Sequence, residues 1–462
     1  MRDAERLRGV IKDCVHCGFC LPACPTYQLW AEEMDSPRGR IYLVNQILDG
    51  AELTPAAAEH FDRCLGCMAC MTACPSGVQY DQLIEAARVW TEEARSGAGA
   101  AAAEPAGPAV AEVGRPGVRD RAARAAIFSL FPYPKRLRAL TGPLRAAQRT
   151  GLDRRVARSG LPGRLSPALG AAMRLAPRDL PPRAATARLP ERVQARGPRR
   201  AVVGMLTGCV QSVFFPQVNA ATARVLALEG CDVIIPRGQG CCGALSLHSG
   251  REAEAAGFAR ATISEFERAM VDLVVVNSAG CGSAMKEYER LLAGADGAEP
   301  DDPAGPGWAA RAAAMSGKVR DFTEFLAELG PAAERHPLPV TAAYHDACHL
   351  GHAQRITRQP RELLRAIPEL NLVELPDAGT CCGSAGVYNL LQPEAAGELG
   401  ARKAQAVLDA GAPLLVSANP GCSLQIAAAL ADRGEHVAVA HVAELLDASL
   451  RGLPPPGSGQ RH

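Results

Sequence analysis

The sequence predicts a multidomain α+β chain: an α-helical, cysteine-rich N-terminal domain, then two copies of an α/β unit with parallel sheets. Three observations carry this. Two cysteine runs of identical spacing lie among helical stretches before residue 75. Short β-branched runs alternate with helical segments from residue 199 to about 450. The cysteines of that second region recur at matched intervals in two halves.

The boundaries follow composition. Residues 1–95 hold the first cysteines among helical segments such as "GRIYLVNQIL" and "QLIEAARVW", whose apolar residues recur at helical spacing. Residues 96–198 form a connector, at first Ala/Gly/Pro-rich as in a linker, then basic and helical with proline breaks. Residues 199–335 and 336–450 are the two α/β units, and 451–462 ("PPPGSGQRH" at its end) is expected to be a disordered tail.

At 462 residues and a formal charge of +1, the chain has room for several cores and no global nucleic-acid footprint. Its start lacks an apolar signal core, and no apolar run approaches the roughly 20 residues that span a bilayer. A cytoplasmic protein, or one peripheral to the inner face of the membrane, is expected. Seventeen cysteines in a reducing compartment argue for metal or redox chemistry over disulfides.

"CVHCGFCLPACP" supplies Cys14, Cys17, Cys20 and Cys24; "CLGCMACMTACP" supplies Cys64, Cys67, Cys70 and Cys74. Both read C-x2-C-x2-C-x3-C-P, the run with which two-cluster ferredoxins hold [4Fe-4S] clusters. Zinc sites more often use two cysteine pairs separated by a longer loop. In such ferredoxins the fourth cysteine ligates the other cluster, so Cys74 is expected with Cys14, Cys17 and Cys20, and Cys24 with Cys64, Cys67 and Cys70.

The repeated half reads "AVVGMLTGC", "CDVIIPRGQGCCG", "DLVVVNSAGC", and then "VTAAYHDAC", "LVELPDAGTCCG", "LLVSANPGC". Cys209 to Cys241 spans 32 positions and Cys348 to Cys381 spans 33; Cys242 to Cys281 spans 39 and Cys382 to Cys422 spans 40. Each of these cysteines follows a strand candidate, and ligands of open parallel sheets gather beyond the carboxyl ends of the strands. Four thiols are thus expected to converge in each half as a candidate cluster or metal site. The seventeenth cysteine, Cys231, begins a strand candidate and is read as a buried structural thiol.

Several features admit a plainer reading. Gly238, Gly240 and Gly243 match a dinucleotide-binding glycine pattern, but cysteines fill its variable positions, so no flavin or NAD site is assigned. His345 and His349 flank Cys348; Leu206 and Val210 stand at the matching places, so packing is preferred to metal ligation or proton relay. His16 is read as facing solvent or tuning a cluster. A vicinal disulfide within either cysteine pair would be strained. Residues 121–160 carry ten basic residues and one acid, which suits an anionic membrane surface or an acidic partner, or equally helices packed on the cluster domain.

With "GCVQ", "GCCGALSLHSG", "SAGCGSAMKEY", "YHDACHLGHAQ", "CCGSAGVYN" and "NPGC" in order behind the two-cluster domain, the chain resembles the glycolate oxidase (glycolate dehydrogenase) iron-sulfur subunits. These belong to a wider CCG-domain family that includes heterodisulfide reductase subunits, lactate-utilisation proteins and the anaerobic glycerol-3-phosphate dehydrogenase small subunit. The CCG domains of heterodisulfide reductases end in C-x-x-C; here Ala284 and Gln425 stand at that last position, leaving four thiolates per half. The resemblance implies two [4Fe-4S] clusters, with one or two further clusters or metal ions at the CCG sites. It also implies FAD-binding partner subunits that oxidise glycolate to glyoxylate, and electron transfer towards a membrane quinone. Lactate or glycerol-3-phosphate as the complex's substrate, or catalysis of disulfide reduction by the chain itself, are the rival readings.

Overall fold

The computed structural model describes residues 2–96, 117–177, 180–181, 188–294 and 306–458. The N-terminal domain is helical: α1 (Arg2–Lys12), α2 (Pro25–Trp30), α3 (Pro37–Leu48), α4 (Pro55–Arg63), α5 (Ala69–Ala73) and α6 (Tyr80–Ser96). Proline opens α2, α3 and α4, where its missing N–H and fixed φ cost nothing. The proline after Cys24 therefore starts a helix. Ser36 and Thr54 cap α3 and α4 by accepting from Gly39 N and Ala57 N. Leu7, Val44, Leu53, Phe61, Leu83 and Ile84 fill the core between these helices.

The connector forms α7 (Val118–Leu130), α8 (Pro134–Thr150), α9 (Leu152–Arg158), α10 (Leu161–Leu165) and α11 (Pro167–Leu175). The expected linker falls largely on residues 97–116, which lie outside the described residues. Ile127, Phe128 and Ala171 pack against Val387 and Leu390, so this basic region docks on the second α/β unit. It also touches the N-terminal domain, through an ion pair between Arg124 and Glu92.

Strands β1 (Arg192–Val193), β2 (Ala201–Leu206), β3 (Cys231–Ile234), β4 (Leu273–Val276) and β5 (Val319–Asp321) form a sheet in the order β1-β3-β2-β4-β5. The first α/β unit adds α12 (Val210–Phe214), α13 (Pro216–Leu228), α14 (Ala244–Leu247), α15 (Glu252–Arg268), α16 (Ala279–Lys286), α17 (Tyr288–Leu291), α18 (Trp308–Lys318) and α19 (Phe322–Leu329). Strands β6 (Val340–His345), β7 (Leu370–Glu374), β8 (Leu414–Ser417) and β9 (Ala438–Ala440) form the second sheet in the order β7-β6-β8-β9. Its helices are α20 (Arg358–Arg365), α21 (Tyr388–Leu391), α22 (Pro393–Asp409), α23 (Pro420–Asp432) and α24 (Val442–Leu450). All pairings are parallel except β1 against β3. The central strands are apolar on both faces, as a sheet covered on both sides requires.

The two units share a core. Phe322, Phe325 and Leu326 of α19, with Leu445 and Leu446 of α24, join Val203 and Met205 of one sheet to Tyr344 and Val416 of the other. Helix α24 lies on α13 of the first unit, fixed by Arg224 to Asp447 at 2.9 and 2.6 Å, while α19 lies on α20 of the second. Both final helices start from a capping box, on Asp321 after β5 and on His441 after β9. The end expected to be disordered continues through turns to residue 458, with Leu453 N donating to Ala448 O; residues 459–462 lie outside the described residues. Among the described residues no helix is long and apolar enough to cross a membrane.

Helix α6 meets the first unit at a charge cluster in which Arg290 pairs with Asp81 and Glu85 at 2.8 Å each and with Glu287 at 2.7 Å. Burial, then the Glu287 charge, push Glu85 from 4.5 up to about 8. The folded state therefore holds a proton that the unfolded chain releases near 4.5, and stability falls as pH rises from about 4.5 to about 8. Glu85→Gln, neutral throughout, is expected to flatten this part of the pH profile of unfolding in denaturant titrations. An unchanged slope would show that Glu85 does not titrate there.

Candidate metal centres

The N-terminal cysteines surround two cavities. One is lined by Cys24, Cys64, Cys67 and Cys70 with Thr26, Arg40 and Tyr80. The other is lined by Cys14, Cys17, Cys20 and Cys74, with Cys70, His16 and Arg38 on its wall. The fourth cysteine of each run thus faces the first three of the other. His16 is exposed, with φ of 53°.

The wall of the first cavity carries a buried charge network that spacing alone does not reveal. Arg40, 1% exposed, donates to Thr26 Oγ1 at 3.1 Å and to Asp35 O at 2.6 Å, and pairs with the Asp35 carboxylate at 3.3 Å. Asp35 also meets His60 Nδ1 at 2.9 Å and Arg63 at 3.0 Å. Thr26 Oγ1 lies 3.2 Å from Cys24 Sγ, and the Tyr80 hydroxyl 3.6 Å from Cys64 Sγ. Burial alone would raise the Cys64 thiol; Arg40, Arg88, the Gly66 N–H and Tyr80 together outweigh it and hold Cys64 below its usual value. Cys67 and Cys70 are pushed well above theirs by burial and by neighbouring thiols. Crowded, dehydrated thiols resist ionising together without a cation, and soft thiolate sets select iron-sulfur clusters or zinc. The donor chemistry fits the iron-sulfur reading.

In the first α/β unit, Cys209 follows β2, Cys241 and Cys242 follow β3, and Cys281 sits in the first turn of α16 after β4. Cys209 Sγ lies 3.7 Å from Cys241 Sγ, and hydrogen bonds continue from Cys241 to Cys242 and on to Cys281. In the second unit the same chain runs Cys348, Cys381, Cys382, Cys422. Hydrogen bonds from Cys209 and Cys242 hold Cys241 well below its usual value, and those from Cys381 and Cys422, aided by His345, do the same for Cys382. All seventeen cysteines are free, and Cys231 is fully buried in β3.

The glycine after each cysteine pair is required by geometry. Gly383 has φ of +87°, and a Cβ there would lie 2.7 Å from Ala396 O; Gly243 has φ of +86° with Ala255 O at 3.0 Å. Each closes the turn so that two consecutive thiols face the strand ends. Gly383→Ala is expected to destabilise the second unit by about 1–3 kcal/mol and to lower metal retention, measured by denaturant titration and metal analysis. Gly240→Ala, with open space around its Cβ and Thr380 at the matching place, is expected to cost little. The glycine pattern at 238–243 therefore serves the cysteine turn, and the Gly238 N–H is taken by Glu265 at 3.1 Å.

At the positions where other CCG domains carry a further cysteine, Ala284 is core, and Gln425 is a buried amide bonded to Ala396 O at 2.8 Å and Asn389 at 3.2 Å. His349 Nδ1 lies 3.7 Å from Cys348 Sγ, and its ring stacks on His248 of the first unit at 4.8 Å. His345 closes on Cys382 and Cys422.

The second unit's thiols also meet the N-terminal domain. Cys67 and Cys348 share one buried cluster with Leu65, Ala69, Cys381 and Tyr388, and burial, then the Cys348 charge, raise the cost of ionising Cys67. Tyr388 OH donates to Arg63 O at 3.1 Å, and His352 bridges Thr72 (2.9 Å) to Gly379 O (2.8 Å).

Comparison with known proteins agrees with this layout. A 4Fe-4S dicluster domain family matches residues 10–78, the linker region of glycolate oxidase iron-sulfur subunits matches 119–176, and a cysteine-rich CCG domain matches 203–286 and 342–427. The probable glycolate oxidase iron-sulfur subunit of Bacillus subtilis (strain 168) is 35% identical over 96% of this chain and 95% of its own length. The glycolate oxidase iron-sulfur subunit of Escherichia coli (strain K12) is 34% identical over 91% of each chain. Lactate utilization protein A of an Exiguobacterium species is 29% identical over 54% of this chain and 98% of its own. Dicluster domain, linker and paired cysteine-rich domains thus recur together and in order over nearly the whole length, and the chain belongs to the glycolate oxidase iron-sulfur subunit family.

Proposed function

We propose that this chain is the electron-transfer subunit of a flavin-linked glycolate oxidase complex, carrying electrons from a flavoprotein that oxidises glycolate to glyoxylate towards a membrane quinone. Cys14, Cys17, Cys20 and Cys74 would hold one [4Fe-4S] cluster, and Cys64, Cys67, Cys70 and Cys24 the other. Cys348, Cys381, Cys382 and Cys422 would hold a further iron-sulfur centre. When bound, such centres accept and release electrons singly. The residues around them set the conditions: Arg40 offsets thiolate charge, Tyr80 and Thr26 hydrogen-bond to sulfur, and Leu65, Ala69 and Tyr388 are buried in one cluster with Cys67 and Cys348.

The observation that carries this reading is the buried cluster that holds Cys67 together with Cys348 and Cys381, so that the second unit's thiols adjoin the N-terminal pair of cavities. Glycolate is favoured over lactate because the glycolate-named relatives match over 96% and 91% of the chain, whereas the lactate-utilisation relative matches about half of it. A membrane-facing acceptor is supported by the connector, where Leu152, Leu161, Leu165 and Leu169 are about half exposed among arginines. The test is anaerobic mixing of this chain with its flavoprotein partner and glycolate. Bleaching of iron-sulfur absorbance is expected with glycolate; bleaching with lactate alone would overturn the substrate assignment.

A further inference from the structure

The second sheet ends in a histidine where the first ends in a leucine. His345 is the last residue of β6, is 1% exposed and pairs in register with Ser417; Leu206 stands at the end of β2. A buried imidazole costs stability unless its polar atoms find partners. Neither ring nitrogen of His345 has an oxygen or nitrogen hydrogen-bond partner; the group it interacts with is the Cys382 thiol. The same protein treats another buried histidine in the opposite way: His441 Nε2 meets Asn277 O at 2.9 Å, and its Nδ1 accepts from Ala443 N at 3.0 Å. What His345 does face is sulfur, for an imidazole nitrogen, Cys382 Sγ and Cys422 Sγ lie within 4.8 Å of one another. Two thiols and an otherwise unpartnered imidazole that converge away from water form a ligand set for a transition metal.

We propose that His345 is a ligand, through one imidazole nitrogen, of the centre held by the second unit's four cysteines. That centre then has mixed thiolate and imidazole ligation, while the first unit's site is thiolate only. This rests on the reading that the second unit holds an iron-sulfur centre. A neutral imidazole adds no negative charge where a thiolate would, the difference by which histidine ligation raises the potential of Rieske-type centres. The two units of the duplication are therefore chemically unequal, and the second is the one whose thiols share a buried cluster with Cys67.

The test is pulsed EPR of the full chain, purified anaerobically, reduced with dithionite and labelled with ¹⁵N-histidine. A nitrogen coupling that responds to the label is expected in the unmodified protein. It should disappear in His345→Leu, matched on Leu206, and persist in His349→Val, matched on Val210. His345→Cys should lower the midpoint potential of that centre. If the His345→Leu variant fails to fold, the label in the unmodified protein and in His349→Val still decides. An iron-sulfur signal that is lost in a Cys381→Ser, Cys382→Ser variant but shows no nitrogen coupling overturns the role of His345 alone. Coupling that vanishes in His349→Val assigns it to the wrong histidine and also overturns the proposal. Iron content unchanged by the double serine variant, or zinc at this position, overturns both the proposal and the reading beneath it.

Discussion

Asp35→Ala is expected to destabilise the N-terminal domain by about 3–5 kcal/mol, the cost of stranding a buried charge by removing its partner. Asp35 is fully buried, and its carboxylate meets Arg40, His60 and Arg63. Arg40 is buried beside it and has no water to turn to. The loss reaches the candidate cluster site because Arg40 is also, with Arg88, one of the two cations that hold Cys64 low against the effect of burial. Amide exchange in α3 and α4 should accelerate by about two to four orders of magnitude. Asp35→Asn, which keeps shape and part of the hydrogen bonding, should cost less than the alanine. Exchange rates within a few-fold of those of the unmodified protein would mean that the network contributes little.

Cys67→Ser is expected to have the largest effect on electron transfer. Cys67 lines one N-terminal cavity and shares a buried cluster with Cys348 and Cys381, so it belongs to both candidate centres' surroundings. Serine keeps the volume but replaces a soft ligand by a hard one, which iron-sulfur clusters tolerate poorly. Glycolate-driven reduction of the chain by its flavoprotein partner should fall by at least the roughly 10–100-fold that loss of an outer ligand partner costs at metal sites. Cys231→Ser is the control, since that thiol is buried in β3 and belongs to neither chain of ligands. Equal losses in the two variants would mean that Cys67 acts through folding alone.

The parts legible in the sequence are those written in local pattern. Six strands, β2 to β4 and β6 to β8, follow from short apolar runs, and the cysteine intervals assign each half its four thiols. Strands β1, β5 and β9 are two or three residues long, too short to carry a period. Asp35 and Arg40 look like solvent-facing charges from sequence, because nothing local tells that His60 and Arg63 arrive from another helix. The crossing of α19 and α24 onto each other's units, and the meeting of Cys67 with Cys348, depend on packing between segments far apart in the chain. His345 read as a packing residue because Leu206 matches it; only the tertiary environment exposes its unpartnered nitrogens.

A redox centre on the second unit's doubled cysteines, adjoining the N-terminal clusters through the buried cluster around Cys67, would be visible in the iron content and the magnetic signature of the chain. The most direct measurement is iron per chain with the EPR spectrum of the reduced protein, for the anaerobically purified chain and for its Cys381→Ser, Cys382→Ser variant. More than the roughly eight irons of two [4Fe-4S] clusters are expected. A spectrum broadened by interaction between centres is expected as well, with both the excess iron and the broadening lost in the variant. About eight irons and an identical spectrum in both proteins would contradict such a centre.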